Sequence, residues 1–148
     1  REARALVAEG ALGDIRLVQA EYLQGWLSDE THSKQAQWRT DPARAGAGAL
    51  GDIGTHAWQL AAFVTGQVPS HVSADLSSMV PGRAVDDDSA GGAALSPRGA
   101  KGDSASQVAV GQGNGLSLRV FGARAALEWQ LQDSERLILS PKDGPRRS

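Results

Sequence analysis

One segment of this chain has a clear helical period, and almost everything after it consists of short runs suited to β-strands. Apolar residues recur at helical spacing over residues 51–64, and Gly66 supplies a stop signal. The later alternating runs, separated by turn residues, lie at 72–80, 89–95, 105–110, 116–120, 127–131 and 137–139. One helix followed by a meander of strands predicts an α+β fold, a predominantly antiparallel open sheet with helices on one face.

The residues before this helix predict two more elements and a long connection. Residues 1–9 are rich in Ala, Glu, Arg and Leu and are followed by Gly10, which predicts a helix with a glycine stop. Residues 15–27 carry β-branched and aromatic side chains on both parities, as expected for a strand covered on both faces. Residues 28–50 lack a period and predict a loop, and loops of such length inside compact domains are usually functional.

The apolar residues of the chain are mostly small. Hydrophobic residues make up 41% of the 148 residues, and 24 of them are alanine. The length fits one domain, 1–148, with a thin core. Because several strands also carry apolar side chains on both parities, we predict a homo-oligomer that associates through the open sheet face.

Charge and cysteine content exclude several classes of function. The net charge is −2 and the basic residues form only a small tail at Lys142, Arg146 and Arg147, so nucleic acid is not a predicted partner. Without cysteine there is no disulfide, thiolate zinc site or iron–sulfur cluster. No apolar stretch reaches the roughly 20 residues of a membrane helix, and no signal-peptide pattern opens the sequence. These features predict a soluble, cytoplasmic chain with no membrane partner.

An aspartate and a histidine at the start of the predicted helix are the strongest candidates for chemistry. Asp52 and His56 are four residues apart, so their side chains share one helix face. Histidine is the usual general base for an alcohol proton, and a nearby carboxylate stabilises its protonated form. The alternative is structural: Asp52 as a helix N-cap and His56 as a half-buried residue bonded to a loop carbonyl. On spacing alone, the structural interpretation is the commoner one.

The segment before the helix carries a second ambiguous pair. Trp38 and Arg39 either line a sugar site or staple the loop to the helix by stacking.

Other motifs are weaker. The aspartates at 86–88 predict a solvated start of a strand rather than a calcium loop. The glycines of segment 111–115 predict a turn between strands, since they do not open a helix as a dinucleotide fingerprint must. A metal-dependent hydrolase built on the Asp–His pair is a third hypothesis, although neither His32 nor His71 is spaced as a further ligand.

The residues from 38 to 66 also resemble a known family. They are similar to the C-terminal domain of the glucose–fructose oxidoreductase / inositol dehydrogenase (Gfo/Idh/MocA) family. The likeness consists of Trp-Arg-x-Asp-Pro, a Gly/Ala stretch, Gly-Asp-Ile-Gly-Thr-His-Ala and a helix ending in Val-Thr-Gly. Further likenesses extend it over nearly the whole chain, at 12–16, 22–26, 87–88, 105–107, 113–116 and 126–129.

The resemblance implies a division of labour. In that family an N-terminal Rossmann domain binds NAD or NADP, and the C-terminal domain supplies substrate contacts and the assembly interface. It implies that His56 is the acid/base for a substrate hydroxyl and Asp52 its partner or a substrate ligand. It also implies that Trp38, Arg39 and Asp41 lie near a sugar or polyol.

The sequence departs from the family pattern in three respects. The nucleotide-binding half is missing, including its glycine fingerprint and the lysine of a Glu-Lys-Pro motif. Residues 89–97 are smaller than usual, and Ala125 replaces a turn glycine, which costs stability if its φ is positive.

We therefore predict the substrate-binding and oligomerisation domain of an NAD(P)-dependent sugar or polyol oxidoreductase, present as a fragment or truncated product. Such a chain would hold no cofactor and would be inactive alone. The alternative is a non-catalytic binding or assembly module derived from the same family.

Overall fold

The longest described strand forms from the β-branched and aromatic residues that follow Gly13. The computed structural model describes residues 1–29, 33–68, 70–85, 87–96 and 99–148, with the backbone alone at 92–96 and 99–104. Its elements are α1 (Glu2–Ala8), β1 (Ile15–Leu23), α2 (Lys34–Arg39), α3 (Pro42–Ala45), α4 (Thr55–Thr65), β2 (His71–Ser77), β3 (Ser89–Ser96), β4 (Gly99–Ser106), β5 (Gly115–Gly122), β6 (Ala125–Gln130) and β7 (Leu137–Pro141). A π-helical turn over Leu50–Gly54 leads into α4, and a 3₁₀ turn over Leu131–Asp133 follows β6.

Strand β1 lies inside a seven-stranded sheet with the order β2-β3-β4-β1-β5-β6-β7. It pairs in parallel with β4 and antiparallel with β5, and the other neighbouring strands pair antiparallel. The sheet is open, with β2 at one end and β7 at the other. This arrangement confirms the predicted α+β class and the predominantly antiparallel open sheet.

Helices α1 and α4 cover one face of this sheet, and the main core lies beneath them. This face of the sheet contributes buried side chains to the core, among them Val18, Ala20, Leu118, Val120, Ala125 and Leu127. Helix α4 meets them with Ala57, Ala61 and Val64. Small side chains on the helix allow a close approach to the sheet. The alanine-rich composition is thus used where a helix and a sheet must approach most closely.

The opposite face of the sheet mixes apolar and charged side chains. Leu17 of β1 pairs with Phe121 of β5, and both are partly buried. Glu21 lies on the same face, four residues after Leu17 in β1, and forms an ion pair of 3.4 Å with Arg119 of β5. The face is less uniformly apolar than the sequence suggested, and association through it stays a prediction.

The prediction of a loop at 28–50 is wrong in part, because two short helices lie within it. The hydroxyl of Ser33 accepts a hydrogen bond from the Ala36 amide at the start of α2, at 3.1 Å. The carboxylate of Asp41 accepts one from the Ala43 amide at the start of α3, at 3.0 Å. Both are N-caps, and Pro42 occupies the first turn of α3. Helices of four and six residues, less than two turns each, carry caps but are too short to show a period.

Several predicted strands have different bounds in the structure. The first strand ends at Leu23 rather than at residue 27, and the strand predicted at 72–80 is β2, which ends at Ser77. The strand predicted at 105–110 overlaps β4 at two residues only, since β4 begins at Gly99 and ends at Ser106. The parallel pairing of β1 with β4 stops at Leu23 and Ser106 together, and the chain then turns back on itself. The backbone amide of Gly25 bonds to the Gln112 carbonyl at 2.9 Å, and Val110 is 81% exposed. The apolar residues at 108–110 suggested that a strand continues there, but Val110 lies in an exposed turn instead of the core.

Two other expectations concern backbone strain and membranes. Ala125 begins β6 with ordinary strand geometry, and no described non-glycine residue has a positive φ, so the stability cost considered for Ala125 does not arise. No helix within the described ranges has the length and apolar character needed to cross a membrane.

We predict that Gly122→Ala destabilises the fold by about 1 to 3 kcal/mol, the usual cost of overfilling a packed site. A Cβ at Gly122 would overlap the backbone carbonyl of Leu12, which cannot move aside as a flexible side chain could. Urea unfolding followed by circular dichroism measures the change.

Gly113→Ala is the matched control, because a Cβ there meets nothing within 4 Å. Its free energy of unfolding should stay the same or rise slightly. Equal destabilisation by both substitutions would contradict the account of the Leu12 contact.

Candidate functional site

Asp52 lies in the π-helical turn before α4, and two side chains from other segments hold its carboxylate. Nη2 of Arg39, the last residue of α2, is 2.8 Å from Oδ1 of Asp52. Nε2 of Gln107, just after β4, donates to Oδ2 at 2.6 Å. Charge-assisted hydrogen bonds of this kind are stronger than neutral ones. Neither the turn nor α4 has a side-chain N-cap, so the interpretation of Asp52 as a helix cap is wrong.

His56 lies one turn further along, at the start of α4, and its side chain is exposed. It is therefore not the half-buried histidine of the structural alternative. Its ring contacts Tyr22 edge-on, with the two centroids 6.1 Å apart and the planes at 64°. The structure gives no hydrogen bond between His56 and Asp52 in the described residues, so the two share a site without a direct bond. The imidazole is left open to a ligand.

Arg39 also stacks on its neighbour Trp38. Its guanidinium carbon lies 4.3 Å from the centroid of the indole ring, and Trp38 is 37% exposed. Cation–π stacking of this kind fixes the direction of the guanidinium. Arg39 thus connects α2 to the helix start through its ion pair with Asp52, as the stapling interpretation expects. A place for Trp38 and Arg39 beside a sugar stays a prediction. The Nε of Arg39 is buried and has no hydrogen-bond partner among the described residues.

Asp41, the last site residue expected from the sequence, has a different observed contact. Its carboxylate caps α3 through the Ala43 amide. The structure shows no bond from it to Asp52 or His56 in the part of the chain described. A place for Asp41 beside a sugar stays a prediction.

Sequence reasoning missed a relay of polar and aromatic side chains next to His56. Asn114 accepts hydrogen bonds on its Oδ1 from the hydroxyl of Tyr22 at 3.2 Å and from Nε2 of Gln24 at 2.7 Å. Oε1 of Gln24 in turn accepts the indole N–H of Trp26 at 2.9 Å. The spacing of residues 22, 24 and 26 could have indicated this group. If the chain stays extended after Leu23, alternate side chains lie on the same side. Amides and aromatic rings are the groups that orient hydroxyl-rich ligands.

The expectation of a solvated aspartate run is wrong for the two described members, because Asp87 and Asp88 are each only 2% exposed. Asp87 accepts backbone amides of segment 48–50, just before the π-helical turn. Asp88 accepts the amides of Met79 and Val80 and forms an ion pair of 2.6 Å with Arg83. Consecutive aspartates in a sequence suggest a solvated segment, because the sequence does not show the hydrogen-bond donors that allow each carboxylate to be buried. Asp86 lies outside the described residues.

Two other sequence motifs can be placed. The glycine segment 111–115 is a turn, with Gly111 at φ +85°, and leads into β5 as predicted. No group of three or more His, Asp or Glu side chains among the described residues could hold a metal ion. His71 is exposed on β2, and His32 lies outside the described residues.

A comparison with known families adds a second kind of observation to this geometry. The family described as GFO/IDH/MocA C-terminal domain matches residues 1–128. The chain belongs to this family. The GFO/IDH/MocA assignment confirms the resemblance carried by residues 38–66.

The relatives are oxidoreductases. The uncharacterized oxidoreductase YfiI of Bacillus subtilis strain 168 is 31% identical over 132 residues, which cover 85% of this chain and 34% of YfiI. Levoglucosan dehydrogenase of Pseudarthrobacter phenanthrenivorans is 40% identical over 81 residues, or 55% of this chain and 20% of that enzyme. An inositol dehydrogenase homolog from Azotobacter vinelandii, solved with NAD⁺, superposes with a TM-score of 0.93 at 30% identity and covers 99% of this chain and 39% of its own.

Other solved GFO/IDH/MocA neighbours hold sugars or polyols. One is an inositol dehydrogenase homolog with NADH and myo-inositol, and others are levoglucosan dehydrogenase with NADH and levoglucosan or L-sorbose. This chain spans only about two fifths of the solved chains and about a third of YfiI.

We predict that breaking the buried ion pair beneath the site is far more costly than breaking an exposed one. Arg83→Met leaves the Asp88 carboxylate buried without its cation and should lower the free energy of unfolding by about 3 to 5 kcal/mol. Arg83 also donates to the carbonyls of Leu27 and Asp29, and these bonds are lost with it. Urea unfolding gives the value.

Arg119→Met is the control, since its pair with Glu21 is more than a third exposed on both sides and should contribute at most about 1 kcal/mol. Similar losses in the two variants would show that the Asp88 pair is not a buried anchor.

Proposed function

We propose that this chain is the substrate-binding and oligomerisation domain of an NAD(P)-dependent oxidoreductase that acts on a sugar or polyol. The observation that carries the proposal is the exposed His56 ring, held between Tyr22 and a helix start whose Asp52 is fixed from two sides. The sugar and polyol complexes of family members support the substrate class.

His56 is the group that moves a proton in this proposal. A carbinol that is oxidised must lose its hydroxyl proton, and an exposed imidazole without a competing hydrogen bond from the described residues is suited to accept it. Asp52 keeps both oxygens engaged with Arg39 and Gln107, so it is a fixed negative charge and a substrate ligand rather than a mobile base. The exposed part of Trp38, with Arg39 stacked on it, offers a rigid edge for a sugar ring. Asp41 follows in the same segment, and we propose that it too lies near the sugar.

The relay of Tyr22, Gln24, Asn114 and Trp26 supplies the orienting contacts. The hydrogen bonds among these side chains already restrict their rotation. Binding a ligand with their remaining donors and acceptors therefore costs little conformational entropy. Pre-ordered polar groups beside the base are what a hydroxyl-rich substrate requires for a defined position.

The residues present do not fit a nicotinamide dinucleotide. A dinucleotide site needs a strand, a glycine turn and a helix N-terminus in succession. Here the glycine segment 111–115 leads into a strand, and α4 starts from a π-helical turn instead of a strand. Family members are solved with NAD⁺ or NADH, so we propose that NAD or NADP is held outside this chain, which has no cofactor of its own and is inactive alone.

The oligomerisation part of the proposal concerns the open sheet face. We expect light scattering at micromolar concentration to show a dimer or larger assembly. Phe121→Glu should convert it to a monomer, because Phe121 and its partner Leu17 are apolar residues of that face and a carboxylate buried there would be unpaired.

Val110→Glu is the control for this substitution, since Val110 is exposed in a turn away from the strand pairing. An unsubstituted chain that is already a clean monomer would contradict association through this face.

The catalytic part is tested by His56→Ala in this chain joined behind a nucleotide-binding domain of the family. Turnover with myo-inositol or levoglucosan should fall about 10²- to 10⁴-fold, the usual contribution of a general base. Nucleotide affinity and the melting temperature should change little, because the His56 side chain is exposed and does not build the core.

His71→Ala provides the matched control, being an exposed histidine on β2. A destabilised but fully active His56→Ala enzyme would overturn the catalytic assignment. An inactive parent enzyme that still assembles would favour the non-catalytic assembly module.

A further inference from the structure

Asp87 is buried beneath the candidate site, yet the proposed proton transfer does not use it. We propose that Asp87 is a positioning residue: it fixes the backbone that enters the π-helical turn and thereby sets where Asp52 and His56 meet the substrate. This inference rests on the function proposed above for Asp52 and His56.

Three consecutive backbone amides bond to Asp87. Its Oδ1 accepts from the Gly48 amide at 2.7 Å and its Oδ2 from the Leu50 amide at 2.8 Å. Its own carbonyl oxygen accepts from the Ala49 amide at 2.7 Å. One residue thus binds every amide of the segment that ends at the first residue of the π-helical turn. We call residues 48–50 with Asp87 the amide clamp.

The fit of the amide clamp leaves no spare volume. A Cβ at Gly48 would overlap both the carbonyl oxygen and the carboxylate of Asp87. Ala49 is completely buried beside Ile53 and Ala105. Close packing on one side and three hydrogen bonds on the other fix the segment in position.

The position of the clamp is passed directly to the site residues. The amide of Asp52 bonds to the Gly48 carbonyl at 3.1 Å. The hydroxyl of Thr55, next to His56, bonds to the Gly51 carbonyl at 3.3 Å. Arg39 and Gln107 orient the Asp52 carboxylate, whereas Asp87 places the backbone that carries it. A shift of about 1 Å in such a frame is enough to lower a rate by roughly 100-fold.

The chemistry of the clamp requires a carboxylate. Each oxygen of Asp87 faces an N–H donor, and an ionised carboxylate offers acceptors on both oxygens. In Asp87→Asn one oxygen becomes an NH₂ group, which would point a donor at a donor. The substitution keeps the shape of the side chain and removes one of the two bonds.

Asp88 is a matched control of the same burial. Its carboxylate oxygens bond to Met79, Val80 and Arg83, a segment that does not enter the π-helical turn. Its backbone carbonyl accepts from the Gln107 amide at 3.1 Å, a bond that Asp88→Asn leaves in place. Asp88→Asn should therefore destabilise the fold to a similar degree without moving the site.

The first measurement is nuclear magnetic resonance on the 148-residue chain. In Asp87→Asn we expect the Gly48 and Leu50 amides to exchange at least about tenfold faster after correction for global stability, and the ring-proton signal of His56 to move, since Tyr22 lies beside it. Gly48→Ala should move the same signal, and Asp88→Asn should leave it in place. If Asp87→Asn does not fold, Asp87→Glu takes its place, because it keeps both acceptors but displaces them.

The second measurement is steady-state kinetics in the chain joined behind a nucleotide-binding domain, with myo-inositol and levoglucosan as probes. We expect kcat/KM for the polyol to fall between about tenfold and 100-fold in Asp87→Asn, with the KM for nucleotide unchanged. Asp88→Asn should match it in melting temperature and not in kinetics.

The outcomes separate the two proposals. Indistinguishable His56 signals and kinetics in the two aspartate variants would overturn the positioning role and leave Asp87 a purely structural residue. An inactive parent enzyme would overturn the proposed function, and the His56 signal would then decide whether Asp87 positions this helix start.

Discussion

The close packing of α4 against β1 and β5 is the contact on which the rest of the structure depends. Ala57 and Ala61 are completely buried against this face, and together with Val64 they fix the rotation of the helix about its axis. Since successive helical residues are about 100° apart, a buried Ala57 turns His56 outward. The same core contact that stabilises the domain therefore decides which way the candidate base points.

Strand β1 connects this core to the site. Its middle residues, Val18 and Ala20, lie in the core, and the next residue of the same parity is Tyr22, whose ring contacts His56. The parallel pairing with β4 stops at Leu23 and Ser106, and Gln107 then leaves the sheet to bond Asp52. The ends of two paired strands thus supply the two sides of the site, which explains why residues so distant in the sequence meet there.

The sequence predicted those features that repeat along the chain. The helical period at 51–64 and the alternating runs after it were enough for the fold class, because burial of one helix face or one strand face leaves a periodic trace. It did not predict α2 and α3, because each is shorter than two turns and leaves only the caps Ser33 and Asp41 as a signal. It also treated 86–88 as solvated, because burial of Asp87 and Asp88 depends on donors that lie 5 to 39 residues away.

The candidate site was predicted only in its local part, for a related physical reason. Asp52 lies in the π-helical turn and His56 in the first turn of α4 that continues it, so the two could be paired from their spacing. Gln107 and Asn114 reach the site only through strand pairing. Gln107 is bonded to Asp52, and Asn114 is bonded to Tyr22 and Gln24, so substitutions within each of these bonded groups should not be additive. Glu21, between Ala20 and Tyr22, faces the opposite side of the sheet and pairs with Arg119. If the domain associates through that open face as proposed, one strand is held from both sides, and assembly and substrate positioning depend on the same few residues of β1.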